Sequence, residues 1–253
     1  MKVSLCIEPI LPDVDFYGRI AIAGELGFDA VEFWDTFRYD PEKIAKESQR
    51  AGIPVVGCIL KKGSEPSRGV SLPAAELLGL LRETIAYAKV FGCTTLYALA
   101  GDVESRADSQ KNLLIENLKR CADVLEKEGV TLLLEPLNSL IDHKGHYLDS
   151  SCVGFEIVNC VGSPRVKLLY DAYHMQVMEG NVIANMTRNI GCIGHIHLAG
   201  TPGRHEPQLG ELNYKNVIRA VEAAGYDGYF GLEYWPTGDH RASLADTLRY
   251  LRG

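Results

Sequence analysis

Four apolar runs in the second half of the chain each carry, at or near their end, a side chain that can bind a proton or a metal ion. Glu135 closes on TLLLEPL (131–137), and Asp171 and His174 lie late in VKLLYDAYH (166–174). His195 and His197 lie in IGHIHLAG (193–200), and Glu233 in GYFGLEYW (228–235). Three carboxylates gathered in an apolar setting repel one another unless a cation joins them. One imidazole beside three carboxylates is an oxygen-rich donor set. It suits Mn2+ or Mg2+, with Co2+, Fe2+ or Zn2+ as further candidates, and it lacks the sulfur ligands of many structural zinc sites. One divalent ion held by Glu135, Asp171, His197 and Glu233 is therefore the expectation. Period-two spacing turns His195 and His197 to the same face. Only one of them can stand at the height of the ion, and His195 is expected a layer deeper as a hydrogen-bonded core residue. Taken singly, each residue has a bland alternative: a strand-end Glu can be a solvated loop residue, and Asp171 a turn residue. Their repetition on successive runs is what singles them out.

The elements that must position these groups alternate along the whole chain. Strands are expected at 3–7, 29–34, 53–60, 94–101, 131–137, 166–174, 193–200 and 228–235. Helical patterns lie at 16–27, 41–52, 72–92, 109–129, 151–162, 181–191, 214–225 and 241–251. Gly27, Gly52, Gly92, Gly129, Gly191 and Gly225 stand where a left-handed residue closes a helix. Near-continuous apolar strands separated by helices imply parallel pairing buried on both faces. Eight such units predict an α/β fold, a single (β/α)8 barrel over 1–253. A doubly wound sheet would carry a Gly-rich phosphate loop after its first strand, and no GxGxxG or GxxxxGK[ST] occurs. In a barrel, functional groups gather at the C-terminal ends of the strands, which is where the four residues fall. Glu32 in VEFW and Glu8 in CIEP also end strands, and each is open between a direct role and a supporting or salt-bridged one. Trp34 and Trp235 could wall the site or simply pack the rim, and Asn138 is read as a turn residue. GFDAVEFW (27–34) and GYDGYFGLEYW (225–235) are weakly alike, as in a fold of repeated units.

Composition narrows the function. Of 253 residues, 46% are hydrophobic and 23% charged, the balance of a globular protein, and the formal net charge is −7. No Lys/Arg-rich block offers a nucleic acid its usual basic patch. The seven cysteines are widely spaced with no CxxC, so neither a zinc knuckle nor a disulfide framework is expected, and a reducing cytoplasm is. No apolar stretch reaches the roughly 18 residues of a membrane span, and the N-terminal MKVSLCIEPILPDVD is too short in apolar residues for a signal peptide.

These residues resemble the xylose isomerase-like barrel superfamily, and within it the hydroxypyruvate isomerase and 2-oxo-tetronate isomerase group. The resemblance rests on GFDAVEF (27–33), HYLDSS (146–151), YDAYHMQVMEGN (170–181), HIHLAGTPGRHEPQLGELNY (195–214) and GLEYWP (231–236), and it spans nearly the whole chain. It implies that Glu135, Asp171, His197 and Glu233 bind the metal and that Glu135 and Glu233 shuttle the proton. It also implies that His174 and Arg204 contact substrate, with His205 and Glu206 nearby on the same loop. The chain departs from the group's pattern at His197, where hydroxypyruvate isomerases often carry Gln and ketose epimerases His. It departs again near Glu8 and in the loop KKGSEPSRGVSLP (61–73), which lacks a longer Gly/Trp-containing segment.

The implied chemistry is proton transfer through an enediolate of a small sugar or sugar-acid substrate, with the divalent ion as Lewis acid. A ketose 3-epimerase is the rival enzyme. An endonuclease-IV-like protein would need more His ligands and a cationic face, and a non-catalytic sugar-binding barrel would not need four converging ligands. A homo-oligomer is compatible with the surface composition.

Overall fold

The computed structural model describes residues 1–60, 69–102 and 108–253, with Asp108 described by its backbone alone. Strands β1 (Lys2–Cys6), β2 (Ala30–Phe33), β3 (Val55–Ile59) and β4 (Thr95–Leu99) are followed by β5 (Thr131–Glu135), β6 (Val166–Asp171), β7 (Ile193–Leu198) and β8 (Tyr229–Leu232). They pair in parallel and in chain order, and β8 pairs back onto β1, so the sheet closes into the expected (β/α)8 barrel. Outside it run α1 (Phe16–Leu26), α2 (Pro41–Ala51), α3 (Ala74–Val90), α4 (Asp108–Glu128), α5 (Ser151–Val161), α6 (Ala172–Met178), α7 (Val182–Arg188), α8 (Tyr214–Ala223) and α9 (His240–Arg252). Among the described residues, no helix is long and apolar enough to cross a membrane.

Local chemistry explains the boundaries. Asp15, Asp40 and Asp239 each accept backbone N–H groups in the first turn of α1, α2 and α9, donors that no residue within the helix could satisfy. Gly27 and Gly52 close α1 and α2 with φ of 88° and 66°. Gly191 departs from the expectation. The last turn of α7 is closed at Asn189, whose Nδ2 donates back to Asn185 O at 2.9 Å, and Gly191 sits in a short 3-10 turn (Ile190–Cys192).

The run Leu132–Leu134 divides between two cores. Leu132 and Leu134 belong to the large core between sheet and helices, together with Leu168, Tyr170 and Ile196. Leu133 packs inside the barrel in a small cluster with Ile59, Tyr97 and Leu169. Period two then turns Glu135, Asp171 and His197 inward, one step closer to the mouth. The register sets Leu99 beside Glu135 and Asp171 beside His197.

Most strands end earlier than the sequence reading, and two of these ends bear on the site. β6 stops at Asp171 rather than running to His174, because Asp171 Oδ1 accepts from Tyr173 N (2.8 Å) and His174 N (3.3 Å) and so caps α6. His174 therefore stands on a helix. β8 stops at Leu232, which leaves Glu233 one residue beyond it, its N–H donating to Leu198 O at 3.3 Å. In the loop after β3, residues 61–68 lie outside the described residues, and Gly69–Ser71 form a short 3-10 turn.

Candidate metal centre and catalytic site

Glu135, Asp171, His197 and Glu233 each offer one donor atom, and these four atoms lie within 4.8 Å of one another. All four residues are buried. His197 Nδ1 is 3.1 Å from Glu233 Oε2 and 3.8 Å from Glu135 Oε1, in directions that make no hydrogen bond. Glu135 Oε1 is likewise buried without a hydrogen-bond partner. A native interior rarely leaves such atoms unsatisfied. Oxygen and nitrogen atoms at this spacing can surround a divalent ion at about 2.0–2.6 Å each, so the residues present fit such an ion.

Arg204 carries the opposing charge. Its Nη2 donates to Asp171 Oδ2 at 3.1 Å and to Glu233 Oε2. The guanidinium lies 5.3 Å from the ring centroids of both Tyr173 and Trp235, within cation–π range of each. Its backbone is in the left-handed region, at φ 57°. Few non-glycine residues adopt that conformation, and it brings the side chain back over the barrel mouth. Trp34 Nε1 donates to the other oxygen of Glu233, Oε1. Trp34 and Trp235 pack with ring centroids 5.9 Å apart, so Trp34 both walls the site and grips a carboxylate.

The two glutamates consequently differ in acidity. Burial, reinforced by repulsion from Glu233 and Asp171, raises the Glu135 carboxyl to about 7 despite the imidazole of His197. Burial also opposes ionisation of Glu233, but Arg204 and His197 outweigh it and hold that carboxyl at about 2. For His197, burial favours the neutral ring, yet Glu233 and Glu32 raise its pKa well above the ordinary value.

His174 is fully buried behind Asp171, with Nε2 3.5 Å from Asp171 Oδ2. Asn138 turns its Oδ1 to the backbone N–H groups of Ile141 (3.2 Å) and Asp142 (2.8 Å), so its Nδ2 faces His174 Nδ1 at 2.7 Å. The amide can only donate, so Nδ1 accepts and Nε2 bears the proton. Burial, then the nearby Arg204 charge, keeps the ring neutral. Nε2 has no hydrogen-bond partner and is a donor ready for a ligand oxygen. Asn138 is thus the expected turn residue and a holder of His174 as well. His205 and Glu206 are placed differently from His174. His205 Nδ1 lies 2.9 Å from Trp235 O, on an exposed ring. The Glu206 carboxylate is taken up by Thr237 N (3.0 Å), Thr237 Oγ1 (3.1 Å) and Ser243 Oγ (2.6 Å), which ties the β7–α8 loop to the start of α9.

Glu8, left open by its sequence, accepts from the backbone N–H groups of Trp34 and Asp35, the latter at 2.8 Å, and so fixes the segment that carries Trp34. Tyr97 is a residue that sequence reasoning passed over. It sits in the apolar run TTLYALAG, where nothing in the pattern distinguishes its hydroxyl, yet that hydroxyl donates to Glu32 inside the barrel.

The chain is similar to known proteins in sequence and in structure. The family model described as xylose isomerase-like TIM barrel matches residues 20–253. The chain is 34% identical to the human protein named putative hydroxypyruvate isomerase, over 100% of this chain and 94% of that one. It is also 34% identical to the 2-oxo-tetronate isomerase of Cupriavidus necator, over 93% of each. Among solved structures, that of an AP endonuclease, family 2, from Brucella melitensis superposes with a TM-score of 0.91 at 30% identity, covering 99% of both chains.

Proposed function

The chain belongs to the xylose isomerase-like TIM barrel family, and from that premise we propose that it is a metal-dependent isomerase of a small hydroxy-carbonyl acid, of the hydroxypyruvate or 2-oxo-tetronate class. The observation that carries this reading is the convergence of two buried glutamates, Glu135 and Glu233, with Asp171 and His197 on one point. Two carboxylates facing one bound substrate are suited to give and take one proton. Glu135, Asp171, His197 and Glu233 would hold one divalent ion, with Mn2+ or Mg2+ matching the oxygen-rich donors. Such an ion, when bound, supplies Lewis acidity that polarises the substrate carbonyl and acidifies the neighbouring C–H.

The chain's own residues supply the remaining chemistry. One glutamate takes the proton from the hydroxyl-bearing carbon, and the electron pair moves into an enediolate. A proton is then returned to the former carbonyl carbon, and the hydroxyl proton passes between the two oxygens. The hydroxyl carbon thereby becomes the carbonyl and the carbonyl becomes the carbinol, with no change in atoms or electrons. His174 Nε2–H donates to a substrate oxygen, and the Trp34–Trp235 pair keeps bulk water from the intermediate. Arg204 holds Glu233 in place and ionised. Its remaining N–H groups, among them the unpartnered Nε, are available to a substrate carboxylate.

The experiment is a metal assay on the purified protein, followed by a screen of short hydroxy-aldehydes, ketoses and their acids for deuterium uptake from solvent. Ion-dependent exchange into a hydroxy acid is expected. Inversion of a ketose at C3 would favour the epimerase reading. Cleavage of abasic DNA, which the name of the Brucella structure invites as a test, runs against the net charge of −7. A metal-loaded protein that exchanges no substrate in the screen would refute the isomerase reading.

Two further outcomes are expected. Arg204→Lys keeps the charge but cannot offer a substrate carboxylate a planar two-pronged donor. It should lower kcat/KM by about 10–100-fold, the worth of one charged hydrogen bond, with KM rising on acidic substrates. Unchanged kinetics on every acid found would remove Arg204 from the site. The second concerns pH. In the metal-free protein the Glu135 carboxyl is raised from its ordinary value to about 7. A group raised in the folded state contributes stability that is present at low pH and lost as pH rises through that value. A bound cation relieves the cost of ionising it, and protons compete less for His197. The rise in Tm on adding Mn2+ should therefore be larger at about pH 8 than at about pH 6. A shift independent of pH would contradict the assignment of Glu135.

A further inference from the structure

Beneath the four-residue cluster, the barrel interior holds a second polar group where an apolar layer of Val, Ile and Leu would be ordinary. Glu32, on β2, is 1% exposed. Its Oε1 accepts from Ser4 Oγ at 3.1 Å, and its Oε2 accepts from the Tyr97 hydroxyl. The same Oε2 lies 3.0 Å from His195 Nε2 and 3.3 Å from His197 Nε2. The surrounding wall is cut to fit this group. A Cβ on Gly231 would overlap Glu32 Oε1 and the rings of both histidines, and a Cβ on Gly57 would overlap the Tyr97 hydroxyl. A buried carboxylate is costly to keep, and apolar residues of similar volume are often as stable or more so. Packing alone does not explain this one.

The geometry at His197 is asymmetric. Nε2 meets Glu32 as a hydrogen bond, whereas Nδ1 makes none although two carboxylates lie nearby. We propose that Glu32 is a positioning residue: it keeps the His197 proton on Nε2, so that Nδ1, on the side of Glu135 and Glu233, is left unprotonated as a donor atom, and it thereby sets the affinity of that site for a divalent ion. The inference rests on the metal-site reading above and adds the group that prepares the imidazole for it. A carboxylate behind a metal-binding histidine fixes the ring and makes it a better donor. Tyr97 and Ser4 hold the carboxylate, and His195 sets a second imidazole against the same oxygen. The corresponding glutamate of the similar segment 225–235 is Glu233, in the cluster itself. The two like segments flank β1 and place one carboxylate above and one behind the same imidazole.

Two measurements test this, and neither reads activity. The first is the 15N spectrum of histidine-labelled wild type loaded with Mg2+, with the His197 signals assigned by comparison with His197→Gln. A protonated Nε2 and an unprotonated Nδ1 are expected. The second is Mn2+ affinity by electron paramagnetic resonance for wild type and Glu32→Gln. The variant should bind Mn2+ roughly 10–100-fold more weakly, with unchanged circular dichroism. A protonated Nδ1 in the wild type overturns the proposal, as does wild-type affinity in Glu32→Gln. Two ions per chain with neither nitrogen of His197 protonated also overturn it, in favour of an ion held by Glu32, His195 and His197. A wild type that binds no Mn2+ and no Mg2+ refutes the metal-site reading itself. If Glu32→Gln does not fold, the wild-type spectrum decides alone.

Discussion

Glu135→Gln and Glu233→Gln should each fold and each lose turnover by several orders of magnitude. Glutamine preserves the shape of the side chain but cannot accept a proton at ordinary pH. General acid–base catalysis alone is worth about 10²–10⁴-fold, and either change also removes a charge that balances the ion. The two variants should differ in stability. Glu135 carries an unpartnered buried oxygen and a carboxyl raised to about 7, so neutralising it costs the metal-free fold little. Glu233 accepts from Arg204 and Trp34. Its replacement weakens a charged hydrogen bond to a buried guanidinium, at about 1.5–3 kcal/mol, and the metal-free Tm should fall. Solvent deuterium exchange separates the roles. A variant that exchanges the substrate proton yet forms no product has kept its base and lost its donor. Near wild-type turnover in both would end the two-glutamate mechanism and leave Glu135 as a strand cap.

Asp171→Asn and Asp171→Ala should both lose the divalent ion, and only the second should also lose a helix cap. Asp171 Oδ1 caps α6 while Oδ2 faces Arg204, so one side chain joins the four-residue cluster, its counter-charge and the helix bearing His174. Asparagine keeps a capping oxygen, and alanine forfeits it at about 1 kcal/mol. Both leave Arg204 with one fewer carboxylate. Metal content after gel filtration should be near zero in each variant, and the Tm of Asp171→Ala should lie below that of Asp171→Asn. Full metal occupancy in both variants would exclude Asp171 as a ligand.

The sequence by itself determined the barrel and the four converging residues. Both are written in local periodicity: apolar runs alternating with amphipathic ones, and a polar group at the same place in successive runs. The closed strand order and the proximity of Glu135, Asp171, His197 and Glu233 follow that pattern. What the pattern could not carry is whatever depends on partners brought together across the barrel. β6 ends at Asp171 because its carboxylate turns to cap a helix, a choice an apolar run of Leu, Tyr and Ala does not reveal. Arg204 reads as a loop residue facing substrate, and only its left-handed backbone folds the guanidinium onto Asp171 and Glu233. Glu206 lies two residues from Arg204 in the sequence, yet its carboxylate is drawn away by Thr237 and Ser243. Glu32 is 165 positions from His197 and 65 from Tyr97 along the chain. Nothing in VEFW says which imidazole it will meet. That was decided by the closing of the sheet and by the two glycines that leave room inside it, because side-chain contacts across a barrel are set by register and shear rather than by the spacing of residues along one strand.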